Sequence, residues 1–187
     1  MRGGIEVASY NYGKDECIRA IRQMAETPNG PDPFFSVLDV GACDGKWARL
    51  LWQALPDGAK VDAVEVFKPN AAQVLGLYDN VYAGDILTYE YGEGRYDLVI
   101  FGDVIEHMTA EFARYVLQYA ISRTRDVLVG VPFRYKQGEL YGNPWERHIQ
   151  DDLTAELMAT RYPMLELLFM AAGDYAYYHA VGGPLHV

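Results

Sequence analysis

Cysteine is scarce: Cys17 and Cys43 are the only two in 187 residues, and neither belongs to a C-x-x-C pair. That excludes a disulfide framework and a cysteine-based zinc site. No Cys/His ligand cluster stands out either, so no metal is expected. Long apolar runs are also lacking, and none approaches the roughly 18 residues of a membrane span. Met1-Arg2-Gly3-Gly4 is not followed by a signal-type apolar segment, so the expected location is cytoplasmic, with no membrane partner. Basic charge is short, with 16 Lys and Arg against 26 Asp and Glu and a net charge of −10. A polyanion binder normally carries a basic face, so nucleic acid is not the expected partner. Arg123, Arg125, Arg134, Lys136 and Arg147 are close enough in sequence to form a local patch, but scattered solvated charges are the simpler reading.

What remains is an ordinary globular composition, 50% apolar and 22% charged, long enough for one buried core. A single domain over residues 1–187 is expected, with an N-terminal helix and linker in 1–33 and the main core in 34–187. The stretch at 37–51, VLDVGACDGKWARLL, reads as a buried strand, a glycine turn and the opening of a helix. Gly41 and Gly45 bracket the turn, and Trp47, Ala48, Leu50 and Leu51 recur at helical spacing. Such a turn leaves free N–H groups at the helix start and lets a ligand approach the main chain. The dinucleotide pattern G-x-G-x-x-G is absent.

Residues 14–26 form an amphipathic helix, with Cys17, Ile18, Ile21 and Met24 on its buried stripe. Breakers at 27–33 lead into the first strand. Further strands are expected at 61–66, near 80–83, at 96–101 and at 126–131, with helices at 48–55, 70–77 and after Thr109 as N-cap. On that last helix Phe112, Val116, Leu117, Ala120 and Ile121 would face inward. Strands alternating with helices indicate a doubly wound parallel α/β sheet with helices on both faces. A helix at 152–161 follows, then β-rich runs at 165–170 and 175–181 joined by a link short enough to require an antiparallel hairpin.

The run Asp39, Gly41, Cys43, Gly45 resembles the first motif of the class I S-adenosylmethionine-dependent methyltransferases, acidic-x-Gly-x-Gly-x-Gly, with Cys43 in place of the middle glycine. Five parallel strands closed by a C-terminal hairpin likewise resemble that family's mostly parallel seven-stranded sheet. The resemblance implies S-adenosylmethionine as cofactor, held by Asp39, Gly41, Ala42, Cys43 and Gly45. Glu65 would accept the ribose hydroxyls, with Val66 and Phe67 beside the adenine. Asp85, with Ile86, would take the adenine amino group. Gly102 and Asp103 would lie beneath the methionine part, since GDVIEHM at 102–108 is similar to the family's fourth motif. Tyr10, Asn11 and Tyr12 stand where an aromatic N-terminal segment folds over the cofactor in resembling enzymes; a loose terminus is the alternative.

Methyl transfer is an in-line displacement that needs orientation first and a base only when the nucleophile must lose a proton. The base candidates are Asp103, Glu106 and His107 at the end of the fourth strand and Glu146 and His148 in the loop that follows the fifth, of which His107 is expected to titrate near neutrality. The loop at 133–150, FRYKQGELYGNPWERHIQ, is too long for a plain connection. It resembles the N-P-aromatic-E-x-H loop of some small-molecule methyltransferases, so Tyr141, Trp145, Glu146 and His148 are expected at a small-molecule acceptor bound through O or N. Two alternatives stand beside this reading: a non-catalytic nucleoside-binding module of the same fold, and an NAD-dependent oxidoreductase. Tyr175, Tyr177 and Tyr178 either mark a homodimer edge or reflect β-propensity alone.

Overall fold

The computed structural model describes residues 12–26, 34–91, 96–171 and 174–183. Its elements run α1 (Lys14–Ala25), β1 (Ser36–Val40), α2 (Lys46–Leu51), β2 (Lys60–Glu65), α3 (Lys68–Gln73), β3 (Asn80–Ala83), β4 (Tyr96–Gly102), α4 (Ala110–Arg123), β5 (Thr124–Pro132), α5 (Ala155–Arg161), β6 (Glu166–Ala171) and β7 (Tyr175–Val181). Short 3-10 turns lie at Ile86–Thr88, Ile105–His107 and Pro144–Glu146.

The strands form one seven-stranded sheet in the order β3-β2-β1-β4-β5-β7-β6. β1 to β5 are mutually parallel. β7 runs antiparallel to both β5 and β6, so six strands share one direction and β7 alone is reversed. Alternation along the strands splits the core in two. Leu38, Val40, Val99, Phe101, Val127 and Val129 face α4, whose Ala113, Val116, Leu117 and Ala120 cover them. Val37, Leu98, Ile100 and Leu128 face the other side, beneath Cys17, Ile18 and Ile21 of α1 and Trp47, Ala48 and Leu51 of α2. Strands buried on both faces are the reason the central runs read as continuous apolar stretches.

Several boundaries differ from the sequence reading. α3 begins at Lys68 because Pro69 sits in its first turn, where a missing N–H costs nothing, rather than breaking it. α2 starts two residues early, directly after Gly45 at φ 77°. α5 starts at Ala155, where the Thr154 hydroxyl accepts from the Leu157 N–H. Thr109 caps α4 as expected, accepting from the Phe112 N–H. Phe112 itself is not in the core; Ala113 takes the inward position.

The tyrosines of the hairpin are core residues, not an edge. β7 lies between β5 and β6, and Tyr175, Tyr177 and Tyr178 are all buried. The edge strand on that side is β6. The expected linker at 27–33 and the aromatic residues Tyr10 and Asn11 lie outside the described residues. Tyr12 is described, and its carbonyl accepts from the Tyr177 hydroxyl at 3.0 Å. Within the basic cluster, Arg125 is half-buried against Asp97 and Asp126, and Arg147 pairs with Glu139. Among the described residues no helix is long and apolar enough to cross a membrane.

Candidate functional site

β1, β2 and β4 end at the same edge of the sheet, and a cavity of about 330 Å³ opens beyond their carboxyl ends. Ligands in open α/β sheets bind at this end, where strand order reverses. Here the reversal falls between β1 and β4.

The glycine turn forms one wall. Gly41 and Gly45 both have φ 77°, a conformation natural to glycine. Cys43 shares that left-handed region at φ 47°, which is the backbone reason a glycine would suit its position. The turn is fastened from beneath. The Gly41 N–H donates to the Val64 carbonyl at 2.8 Å, and the Cys43 N–H donates to Glu65 Oε2 at 2.8 Å. The Phe67 N–H takes the other oxygen, Oε1, at 2.8 Å. Glu65 is therefore a clamp between the turn and the end of β2, yet each oxygen keeps a second acceptor position. Burial raises its pKa against those N–H donors.

Asp39 lies deeper than expected. It is fully buried and absent from the cavity wall; the Tyr78 hydroxyl donates to its Oδ2. Burial pushes it up to about 7, opposed by the Tyr78 hydrogen bond. It supports the turn from behind. Gly45 and Phe67 also stand outside the cavity wall. Gly41, Ala42, Cys43, Glu65, Val66, Asp85, Ile86, Gly102 and Asp103 do line it. Asp85 spends Oδ1 on the Leu87 N–H at 3.0 Å and caps the short turn that follows.

The loop at 133–150 closes the opposite wall with Asn143, Trp145, Glu146 and Ile149. It is tied down along its length. The Glu106 carbonyl accepts from the Ile149 and Gln150 N–H groups at 2.8 and 3.0 Å. Buried Gln150 donates to the Ile105 carbonyl and accepts from the Tyr162 hydroxyl. Glu146 is held by Asn143 Nδ2 at 3.2 Å, and the Cys43 thiol points at the same oxygen from 3.9 Å. Burial and the neighbouring Glu65 raise the pKa of Glu146. Tyr141 is 79% exposed at the tip and does not reach the cavity.

His107 lines the cavity and its Nδ1 donates to the Arg147 carbonyl at 3.2 Å. Its pKa is not near neutrality. Burial, and then His148 beside it, bring it down to about 4. His148 lies behind the wall, its Nδ1 donating to the Tyr135 carbonyl at 2.8 Å, and burial lowers its pKa. The two rings meet edge to face with centroids 4.7 Å apart.

No protein-family model matches the chain, and no curated protein matches it by sequence. Solved structures do match. The N-terminal domain of EvdMO1, crystallised in the presence of SAH and D-fucose, is 17% identical with a TM-score of 0.61, over 97% of this chain and 88% of that one. A TehB-like SAM-dependent methyltransferase from Corynebacterium glutamicum is 16% identical with a TM-score of 0.59, over 93% and 89%. CalS10, a SAM-bound amino pentose methyltransferase from Micromonospora echinaspora, is 13% identical with a TM-score of 0.63, over 90% and 89%.

The chain has the class I methyltransferase fold.

Within that fold, some cavity residues escape a reading of the sequence. Trp47 reads as a core residue, and it is only 4% exposed, but one side of its indole forms the cavity floor. Lys14 of α1 lies against the same ring, its ammonium 4.1 Å from the centroid. A Cβ on Gly102 would lie 2.8 Å from Trp47 Cε2, so that glycine exists to admit the indole. Phe112, Met108 and Thr109 enter from the start of α4. The sequence carries no signal for Phe112 at the cavity, since helical spacing puts it on the buried stripe of α4. The wall of this methyltransferase-fold cavity carries Asp44, Glu65, Asp85, Asp103 and Glu146, against Lys46 as its one lysine or arginine among the described residues.

Proposed function

We propose that the chain is an S-adenosylmethionine-dependent methyltransferase acting on an oxygen or nitrogen of a small molecule. The observation that carries this reading is the charge of the cavity wall: five carboxylates to one lysine. A unit charge roughly 7 Å from a carboxylate interacts by about 2 kcal/mol at an effective dielectric of about 20. A sulfonium cation is favoured by such a wall. A pyrophosphate is repelled by it, which counts against a dinucleotide cofactor and the oxidoreductase alternative.

The residues present fit the nucleoside. The spare acceptor positions on Glu65 suit a pair of ribose hydroxyls. Val66 and Ile86 offer apolar contact for a flat base, and Asp85 keeps one oxygen for an amino group. Gly41, Ala42 and Cys43 present main chain without bulky side chains. Gly102 and Asp103 stand beside the amino-acid end. Bound there, S-adenosylmethionine supplies an electrophilic methyl carbon.

The acceptor would enter between His107, Met108, Phe112, Trp145 and Ile149, a largely apolar and aromatic wall suited to excluding water around the reacting atoms. With its Nδ1–H given to a carbonyl, His107 holds a lone pair on Nε2 and can accept a proton there. Glu146, with its pKa raised by burial, is the second group able to do so. The named solved structures are methyltransferases of small molecules in part, CalS10 acting on an amino pentose, which supports a small acceptor.

Calorimetric titration with S-adenosylmethionine, S-adenosylhomocysteine and NADH tests this reading. The expected result is micromolar binding of both sulfur nucleosides, none of NADH, and at least tenfold weaker binding in Glu65→Gln with an unchanged unfolding midpoint. Binding of NADH alone, or of none of the three by a folded protein, would overturn it.

A further inference from the structure

Glu106 lies behind the cavity wall and takes no part in the nucleoside pocket. It is 0% exposed, and among the described residues neither carboxylate oxygen meets a hydrogen-bond donor from any other residue, its own backbone N–H being the sole donor near it. A buried carboxylate with no donor from another residue is among the costliest arrangements a fold can hold, unless a proton or a cation faces it. The side chain is not adrift. Its Oε1 lies 4.0 Å from His148 Nε2, where both side chains are almost wholly buried. Asp103 and Glu146 add further negative potential around it.

The two imidazoles are oriented in the way ligands are oriented. The Tyr135 carbonyl can only accept, so His148 Nδ1 must carry the proton and Nε2 the lone pair. The Arg147 carbonyl fixes His107 the same way. A ring whose outer N–H is held by a backbone carbonyl is the usual support for a metal-bound histidine. One ligand atom from each of Glu106, His107 and His148 can be chosen so that all three lie within 4.8 Å of one another.

We infer that Glu106, His107 and His148 form a binding site for a divalent first-row transition ion, with two imidazole nitrogens and one carboxylate as protein ligands. Two nitrogens and an oxygen select Zn(II), Co(II), Mn(II) or Fe(II) over Mg(II) or Ca(II). The ligand atoms must draw together by about an ångström to reach bond lengths of about 2.0–2.2 Å. His107 lines the cavity, so an ion held by these three side chains would be reachable from that side. With the ion in place His107 Nε2 is a ligand, and Glu146 is left as the proton acceptor. An oxygen or nitrogen of the methyl acceptor can then coordinate beside the methyl donor, a use that rests on the methyltransferase reading. The ion site itself does not.

The test uses the full chain, stripped with chelator and titrated with Zn(II), Co(II) and Mg(II) without any nucleoside. One equivalent of Zn(II) or Co(II) bound at micromolar concentration is expected, with Mg(II) at least tenfold weaker. Cobalt loading should give visible d–d bands of a nitrogen-ligated ion. Glu106→Gln and His148→Gln should each weaken binding tenfold or more and abolish those bands. Should Glu106→Gln fail to fold, His148→Gln and His107→Gln carry the same comparison. Absence of saturable binding, or equal affinity in folded variants, overturns the inference. Titration of the stripped protein with S-adenosylhomocysteine separates this failure from failure of the cofactor reading.

Discussion

Replacing Asp39 by asparagine tests whether this carboxyl is strained by burial rather than employed at the cavity. Its folded pKa of about 7 stands above the ordinary value of 3.8. An acid whose pKa is raised on folding holds its proton more tightly in the native state. Its contribution is thus most favourable below pH 3.8 and is lost as pH rises to 7. Linkage with these two values gives a cost of about 2 kcal/mol at pH 5 and about 4 kcal/mol at pH 8. The amide of Asp39→Asn does not titrate and escapes that cost. Urea unfolding of both proteins from pH 5 to 8 should therefore show Asp39→Asn gaining about 2–3 kcal/mol on the parent across that range. The absolute offset depends on how well the amide accepts from Tyr78, but the slope does not. Parallel stability curves would refute the reasoning and mean that Asp39 is ionised in the fold, with Lys14 close enough to hold it so.

Two further substitutions probe the cavity wall. Gly102→Ala should lower stability by about 1–3 kcal/mol by overpacking against Trp47, and weaken nucleoside binding because the indole that must shift is part of the floor; an unchanged thermal midpoint would show that Trp47 has room to move. Cys43→Gly should leave stability unchanged or raise it by up to about 1 kcal/mol, because a left-handed residue loses its Cβ penalty. A fall of several degrees in the midpoint would mean that the thiol's contact with Glu146 matters more than the backbone.

The sheet is legible in the sequence because its strands are buried on both faces. β3 and β7 fall on the expected residues, and β1, β2, β4 and β5 differ by one or two at their ends. The helix starts are less legible. Lys68-Pro69 looks like a stop until Phe67 is seen in extended conformation, which lets the proline open a helix. At the site, residues carried by the glycine turn are readable from spacing, since a turn is local. Asp39 is misplaced by spacing alone because its partner Tyr78 is far along the chain and nothing local signals burial. Glu106 is legible only as a candidate base in the E-H-M turn; its burial and its approach to His148 are not, because only folding brings His148 from the loop after β5 beside it. A search for ligands at nearby spacing finds no cluster, whereas this trio is assembled across 41 residues between His107 and His148.

The double acceptance by the Glu106 carbonyl, from Ile149 and Gln150, acts on time as well as on shape. One peptide oxygen joins the base of the loop to the turn after β4, so the loop swings away as a lid only by breaking both of these bonds. Freedom is left at the tip, around exposed Tyr141 and the half-exposed Trp145. Under the proposed function, a spent nucleoside would leave past these few residues, and loop motions of that kind run on the nanosecond to microsecond scale. On that reading, product residence would be set by the contacts it breaks and not by a slow opening of the loop.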